Sequence, residues 1–189
     1  MFFKRDDPYA LVVGMTGVKM GDRVVQIGCA HGGRLGAVAG KVGLSGRAVA
    51  IVPDEASASR ARKGAEDAGV LVEIEVAPPM RLPVEADAFD LAVVDDTSGL
   101  IGTMRPEDRV ASVRELLRVL RPGGRVMMIG AAPRAGLRAR LSRSQSGPPF
   151  ALSGDAGKAL QADGFKSVRT LAEREGLVFV EGIKPRVDG

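Results

Sequence analysis

Ten residues constrain this chain more than any others: Val24-Val25-Gln26-Ile27-Gly28-Cys29-Ala30-His31-Gly32-Gly33. A short apolar run breaks into a glycine-rich turn, and small residues at helical spacing follow. That is how a parallel strand hands over to a helix around a nucleotide-like ligand. Backbone N–H groups of such a turn and the N-terminus of its helix are ready anion partners.

The rest of the chain reads as strands alternating with helices and then a closing hairpin, with no internal repeat. Residues 1–20 form an N-terminal lead-in, with a polar turn at Asp6-Asp7-Pro8 and a helix whose Leu11, Met15 and Val18 share one face. Phe2 and Phe3 beside Lys4 and Arg5 read as an anchor on the domain's own core, or as a contact with a membrane surface. Arg23–Ile27 is the first strand. The next helix carries Leu35, Val38, Ala39 and Val42 on one stripe and Gly32, Gly36 and Gly40 on another. Each internal glycine costs about 1 kcal/mol relative to alanine, so that stripe predicts close approach of the helix to the sheet.

Ala48–Val52 is a second strand, and Pro53-Asp54 opens a helix to about Ala68 that Gly69 stops. Val70–Val76 reads as a third strand, Pro78-Pro79-Met80 as a stiff loop, and Phe89–Val94 as a fourth strand closing on Asp95-Asp96. Pro106 suits the first turn of a helix. Val110, Val113, Leu116, Leu117 and Leu120 give that helix its apolar stripe, and Pro122-Gly123-Gly124 ends it. Arg125–Ile129 is a fifth strand. Ser153 is placed to cap a last helix ending at Gly164. Phe165–Leu171 and Leu177–Ile183 are joined around Glu175-Gly176, too short a link for parallel neighbours. The expectation is an α/β fold: a Rossmann-like, doubly wound, mostly parallel seven-stranded sheet with an antiparallel C-terminal strand and helices on both faces. Residues 21–189 read as a single domain.

Composition narrows the function classes. One cysteine excludes an internal disulfide and points to the cytoplasm, and one cysteine with one histidine argues against a conventional zinc site, so no metal is expected. No apolar run approaches the roughly 20 residues that span a bilayer, and the first residues lack the apolar core of a signal peptide. Aromatic residues make up 4% of the chain and tryptophan is absent, which argues against a surface that stacks successive bases. A net charge of +4 permits an anionic partner without requiring one.

Taken with its order and spacing, the chain resembles a class I S-adenosylmethionine (SAM)-dependent methyltransferase, of the group that includes quinone-biosynthesis enzymes. Residues Gly21 to Ala30 look like the family's first motif, Ser45 to Pro53 like its second strand and turn, and Ala88 to Val94 like its fourth strand. Leu117-Arg118-Val119-Leu120-Arg121-Pro122-Gly123-Gly124-Arg125 is the most specific piece of the match. The resemblance implies a SAM site formed by Gln26, Gly28, Cys29, Ala30, His31, Gly32, Val52, Pro53, Asp54, Pro78 and Asp95. In the family a first-motif carboxylate lies beneath the methionine part of SAM. A second carboxylate at the end of strand two takes the ribose hydroxyls, and an acidic residue after strand three meets the adenine amine. The matching positions here are Gln26, Val52 and Pro78. On this alignment Val52→Asp is expected to tighten SAM binding, with Asp54 as the other candidate for the ribose.

Methyl transfer from a sulfonium needs alignment above all, so a base is required only where the acceptor must lose a proton. His31, Asp95 and Asp96 are the catalytic candidates: an imidazole exchanges protons near neutral pH, and the carboxylates close a strand where open α/β sheets bind ligands. Cys29, His31 and an aspartate superficially suggest a nucleophile triad. The basic stretch Ala131–Phe150, with Arg134, Arg138, Arg140 and Arg143, is a candidate contact for an acidic substrate, RNA phosphates or an anionic membrane. Three readings follow. One is a SAM-dependent methyltransferase acting on an unidentified acceptor, a small molecule by preference. Another is a methyltransferase-like domain without catalysis that binds a protein partner or serves in assembly. The third is a nicotinamide-dependent enzyme, since Gly28–Gly33 also reads as G-x-A-x-x-G.

Overall fold

The structure, a computed structural model, describes residues 7–132 and 149–186. Helix α1 (Ala10–Thr16) leads to β1 (Arg23–Ile27), followed by α2 (Gly32–Val42), β2 (Arg47–Val52), α3 (Glu55–Ala68) and β3 (Glu73–Val76). Strand β4 (Phe89–Asp96), α4 (Pro106–Val119) and β5 (Leu120–Ala131) come next. The chain closes with α5 (Asp155–Ala162), β6 (Lys166–Arg174) and β7 (Leu177–Ile183). All the strands join one seven-stranded sheet in the order β3-β2-β1-β4-β5-β7-β6. Strands β1 to β5 are parallel, and β7 runs antiparallel to both of its neighbours. This is the Rossmann-like, doubly wound sheet that the sequence predicts.

Helices cover both faces. Val24, Leu91, Val93 and Met127 pack with α1 and α2 through Val12, Val38 and Val42. Val25, Ile27, Ala92 and Val94 face the other way, against Val113 and Leu116 of α4 and Leu160 of α5. Between β3 and β4 no helix forms. Residues 77–88 are tied instead to α4: the Leu82 N–H donates to Glu115 at 2.7 Å, and Arg118 donates to the carbonyls of Leu82 and Val84 at 3.0 and 2.9 Å.

The structure departs from the sequence expectation at particular places. Strand β3 begins at Glu73 rather than Val70, because Val70 N–H is spent on the end of α3, donating to the Ala65 carbonyl at 3.0 Å behind the left-handed Gly69. Helix α4 stops at Val119, and Leu120 already belongs to β5, opposite Phe89. Pro122 disfavours helix in the residue before it, so Pro122-Gly123-Gly124 falls inside an irregular strand instead of ending a helix. Gly154, not Ser153, stands at the N-cap of α5, and Ser153 Oγ accepts the Asp155 N–H from one position earlier at 3.3 Å. The glycine stripe of α2 meets helix α3 and not the sheet. A Cβ on Gly36 would fall 2.5 Å from the Gly64 carbonyl oxygen and 2.8 Å from Ala68 Cβ, and Gly32 lies against Arg60 and Gly64.

Candidate functional site

Crossovers leave β1 on opposite sides toward β2 and β4, so a crevice opens above the carboxyl ends of β1 and β4. Gly28 sits at its floor with φ of 80°, a conformation that glycine adopts without strain. A Cβ there would come within 2.7 Å of Leu100 Cδ2 and 3.0 Å of the Asp95 carbonyl oxygen. The turn is braced from below: the Gln26 side-chain amide, 2% exposed, donates to the Gly28 carbonyl at 3.0 Å, and Gly28 N–H donates to Ile51 O at 2.8 Å.

Asp95 closes the crevice from β4. Its carboxylate accepts the Ala30 N–H at 3.1 Å, the Thr97 hydroxyl at 2.6 Å and the Thr97 N–H at 3.3 Å. Arg34, from the first turn of α2, reaches across to the same carboxylate at 3.3 and 3.4 Å and donates to Thr97 Oγ1 at 2.7 Å. Arg34 Nε is buried and has no hydrogen-bond partner among the described residues. Sequence reasoning missed Arg34. Its signal is a cation in the first turn of a helix, where the macrodipole opposes it and a carboxylate must offset it. Arg60 was missed as well: from α3 it donates to the Cys29 carbonyl at 3.0 Å and ties that helix to the turn.

The remaining candidates divide. His31 is the N-cap of α2, and its Nδ1 accepts the Gly33 N–H at 3.2 Å, which puts the proton of a neutral ring on Nε2. Its ring tilts against Tyr9 at 5.6 Å between centroids. Cys29 faces Leu35, Ala50, Ala58 and Ala61, and burial, reinforced by the nearby Asp95 charge, pushes its thiol up to about 11. That thiol carries no nucleophilic fraction at neutral pH, so no triad assembles. Asp96 leaves the strand on the face opposite Asp95. It accepts the N–H groups of Ile101 at 2.6 Å and Gly102 at 3.2 Å, and burial raises its carboxyl above the usual range.

At the end of β2, Val52 is fully buried among the apolar residues of α2 and α3. Pro53 and Asp54 are exposed. Asp54 caps α3 by accepting the Ser57 N–H at 2.7 Å, a bond that holds its carboxyl below the usual range. Pro78 is exposed after β3. Arg134, Arg138, Arg140 and Arg143 lie outside the described residues. A cavity of about 790 Å³ adjoins the crevice, bounded by Tyr9 and Val12 of the α1 region, Arg34, Ala132, and the β6–β7 turn at Glu175 and Leu177. Among the described residues no cluster of His, Cys, Asp or Glu could hold a metal ion, and no helix is long and apolar enough to cross a membrane.

Residues 24–124 match the family model described as a methyltransferase domain. The chain is similar to the ubiquinone/menaquinone biosynthesis C-methyltransferase UbiE of Pseudomonas putida, at 29% identity over 164 residues covering 85% of this chain and 60% of the relative. Among solved structures it resembles a SAM dependent methyltransferase from Aquifex aeolicus, with a TM-score of 0.72, 20% identity, and 94% and 89% of the two chains covered. It also resembles SpnF, described as a [4+2]-cyclase, with a TM-score of 0.71, 18% identity, and coverage of 98% and 86%. At such identities the likeness is one of fold, and a fold shared with a cyclase does not specify methyl transfer by itself. The chain spans between 30% and 45% of the length of the first curated relatives it matches.

Proposed function

Because the chain belongs to the methyltransferase domain family, we propose that it is a SAM-dependent methyltransferase acting on a small-molecule acceptor. The observation that carries this reading is the crevice floor: Gly28 admits no side chain there, and Asp95 and Arg34 bring both signs of charge beside it. Those groups suit the amino-acid end of SAM. The nucleoside end is served more sparely. Asp54 is the exposed carboxylate just beyond β2, with one oxygen engaged in its cap and the other available.

A bound sulfonium donor supplies an electrophilic methyl group. The protein's own share is to hold that donor against the turn and to align an acceptor, and such positioning is worth about 7–11 kcal/mol of a barrier. The adjoining cavity of about 790 Å³ is within the size range of small-molecule sites and supports an acceptor of that class. Neither Asp95, with both oxygens engaged, nor His31, with Nδ1 engaged, is a free base in this geometry. The reading therefore favours an acceptor atom that carries no proton to be removed. One domain with α1 as its lead-in, in a reducing cytoplasm that suits the lone buried thiol, belongs to the same proposal.

Val52 favours a second reading, a binding or assembly domain without catalysis. An apolar, fully buried side chain stands where the family places a ribose carboxylate. A hydrogen bond to a charged group contributes about 1.5–3 kcal/mol, so its loss weakens SAM by roughly 10–100-fold at about 1.4 kcal/mol per decade. Titration calorimetry with SAM and S-adenosylhomocysteine separates the two. Micromolar to high-micromolar binding is expected, and no heat and no thermal shift at millimolar ligand would refute the enzyme reading in favour of the second.

A further inference from the structure

We infer that the edge of the sheet opposite the crevice docks on an anionic lipid surface, which Met20, Leu44 and Leu71 enter. Strands β3, β2 and β1 are parallel neighbours, so their amino ends share that edge. A large apolar residue stands just ahead of each strand: Met20 before Arg23 of β1, Leu44 before Arg47 of β2, and Leu71 before Glu73 of β3. These side chains are 78%, 91% and 82% exposed, whereas Val76 and Val110 reach only 50% and 38%. They form one patch. A Cβ on Gly43 would meet Met20 Cγ at 3.7 Å, and Leu44 and Leu71 rim a shared groove of about 580 Å³. Apolar residues scattered singly over a surface are ordinary, whereas a contiguous group marks a contact with another molecule or phase.

Charge identifies the occupant. Lys19 adjoins Met20, Lys41 lies three residues before Leu44, and Arg23 opens β1; all three are exposed. The carboxylates beside them are engaged elsewhere: Asp22 accepts the Lys19 N–H at 2.8 Å, Glu73 pairs with Arg47, Asp67 with Lys63 and Asp90 with Arg121. Glu66 and Glu75 are exposed on the β3 side, so the positive field centres on β1 and β2. Cations beside a negatively charged leaflet supply attraction, and apolar tips buried among the lipids add what charge alone does not. A second copy is opposed by the same cations, because a two-fold contact brings the positive patch against itself. Met20, Leu44 and Leu71 stand on connecting segments rather than on a helix or strand face, a shape that a fluid surface accepts without a matching partner. Docked this way, the crevice at the carboxyl edge faces water, and the inference does not depend on which ligand the crevice takes.

Co-sedimentation of the whole chain with vesicles tests this, using phosphatidylcholine alone or with about 30% phosphatidylglycerol as the anionic lipid. Binding is expected on the mixed vesicles only, and it should fall steeply as salt rises from about 0.1 M to about 1 M. Lys19→Gln and Lys41→Gln should each weaken it about 5-fold. Leu44→Ser should weaken it about 10–100-fold and leave Tm unchanged, because the side chain is exposed in the folded chain. Tyr9, the sole tyrosine in a chain without tryptophan, reports orientation. It lies against His31 at the opposite edge, so brominated lipid should leave its emission unchanged. No binding to anionic vesicles, or equal binding to both kinds, overturns the inference. So does a Leu44→Ser variant that binds like the unaltered protein, and so does quenching of Tyr9, because the chain then docks by its crevice edge. A dimer in analytical ultracentrifugation that Leu44→Ser abolishes would assign the patch to a second copy instead.

Discussion

Replacing Gly64 by alanine tests whether the glycines of α2 and α3 serve helix contact. A Cβ on Gly64 would fall within 2.6 Å of Gly32 Cα and closer still to the Gly32 carbonyl, all of it backbone that no rotamer change can clear. The Gly32 carbonyl oxygen would be only 2.2 Å away, and ordinary contact needs about 3.4 Å or more, so the helices must separate by about an ångström or more, or bend. Overpacking of this kind costs about 1–3 kcal/mol, and backbone against backbone belongs at the upper end. Alanine returns about 1 kcal/mol through helix propensity. The expected net loss is about 2 kcal/mol, a fall of roughly 4–8 °C in Tm for a domain of this size. Gly40→Ala is the control: its Cβ would meet nothing nearer than Val70 Cγ1 at 3.7 Å. That change should be neutral or stabilising by up to about 1 kcal/mol. Thermal and urea unfolding followed by circular dichroism reads both. A Gly64→Ala protein as stable as Gly40→Ala would refute the packing account.

Val52→Asp, which the alignment favours for tighter SAM binding, is expected to fail on structural grounds. The side chain is fully buried among Cys29, Leu35, Ala58 and Ala61, and an unpaired charge there costs several kcal/mol. A lowered urea midpoint without improved affinity is the outcome to look for, and a stable, tighter-binding variant would restore the alignment's view. Asp96 has its folded-state pKa raised by burial, so its contribution to stability is present below about pH 3.9 and is lost as pH rises through the folded value. Asp96→Asn keeps an acceptor for the Ile101 and Gly102 N–H groups while removing the charge. Urea midpoints at pH 7 should therefore be equal or higher for Asp96→Asn and lower for Asp96→Ala, which strands two donors at about 1–3 kcal/mol each. Below pH 3.9 the gain of the asparagine variant should vanish.

Much of the fold was legible because its signals are local. Strand β1 is an apolar run that ends at a glycine, and β7 with its Glu175-Gly176 turn needs only short-range geometry: both turn residues have positive φ, 55° and 76°. The misplacements arise where one residue serves two neighbours, as Leu120 does between α4 and β5. The small-residue stripe of α2 announced a close contact but carried no information about which surface would supply it. The candidate site was harder to read. Asp95 and Asp96 look alike in sequence, yet β4 continues through both and sends them to opposite faces. Val52 belongs to a strand buried on both sides, so no alternation told which way it points. Arg34 and Asp95 are 61 residues apart, and nothing local joins them.

That separation also dictates an order of assembly. Strand β1 and helix α2 are adjacent in the chain, but the Ala30 N–H between them has its partner 65 residues away on β4. Closing so long a segment is slow relative to local helix formation. The turn is therefore complete only once β4 has docked on β1. A ligand seated there meets a surface that the unfolded chain does not possess. Its stabilisation should appear as slower unfolding, with the rate of folding left nearly unchanged.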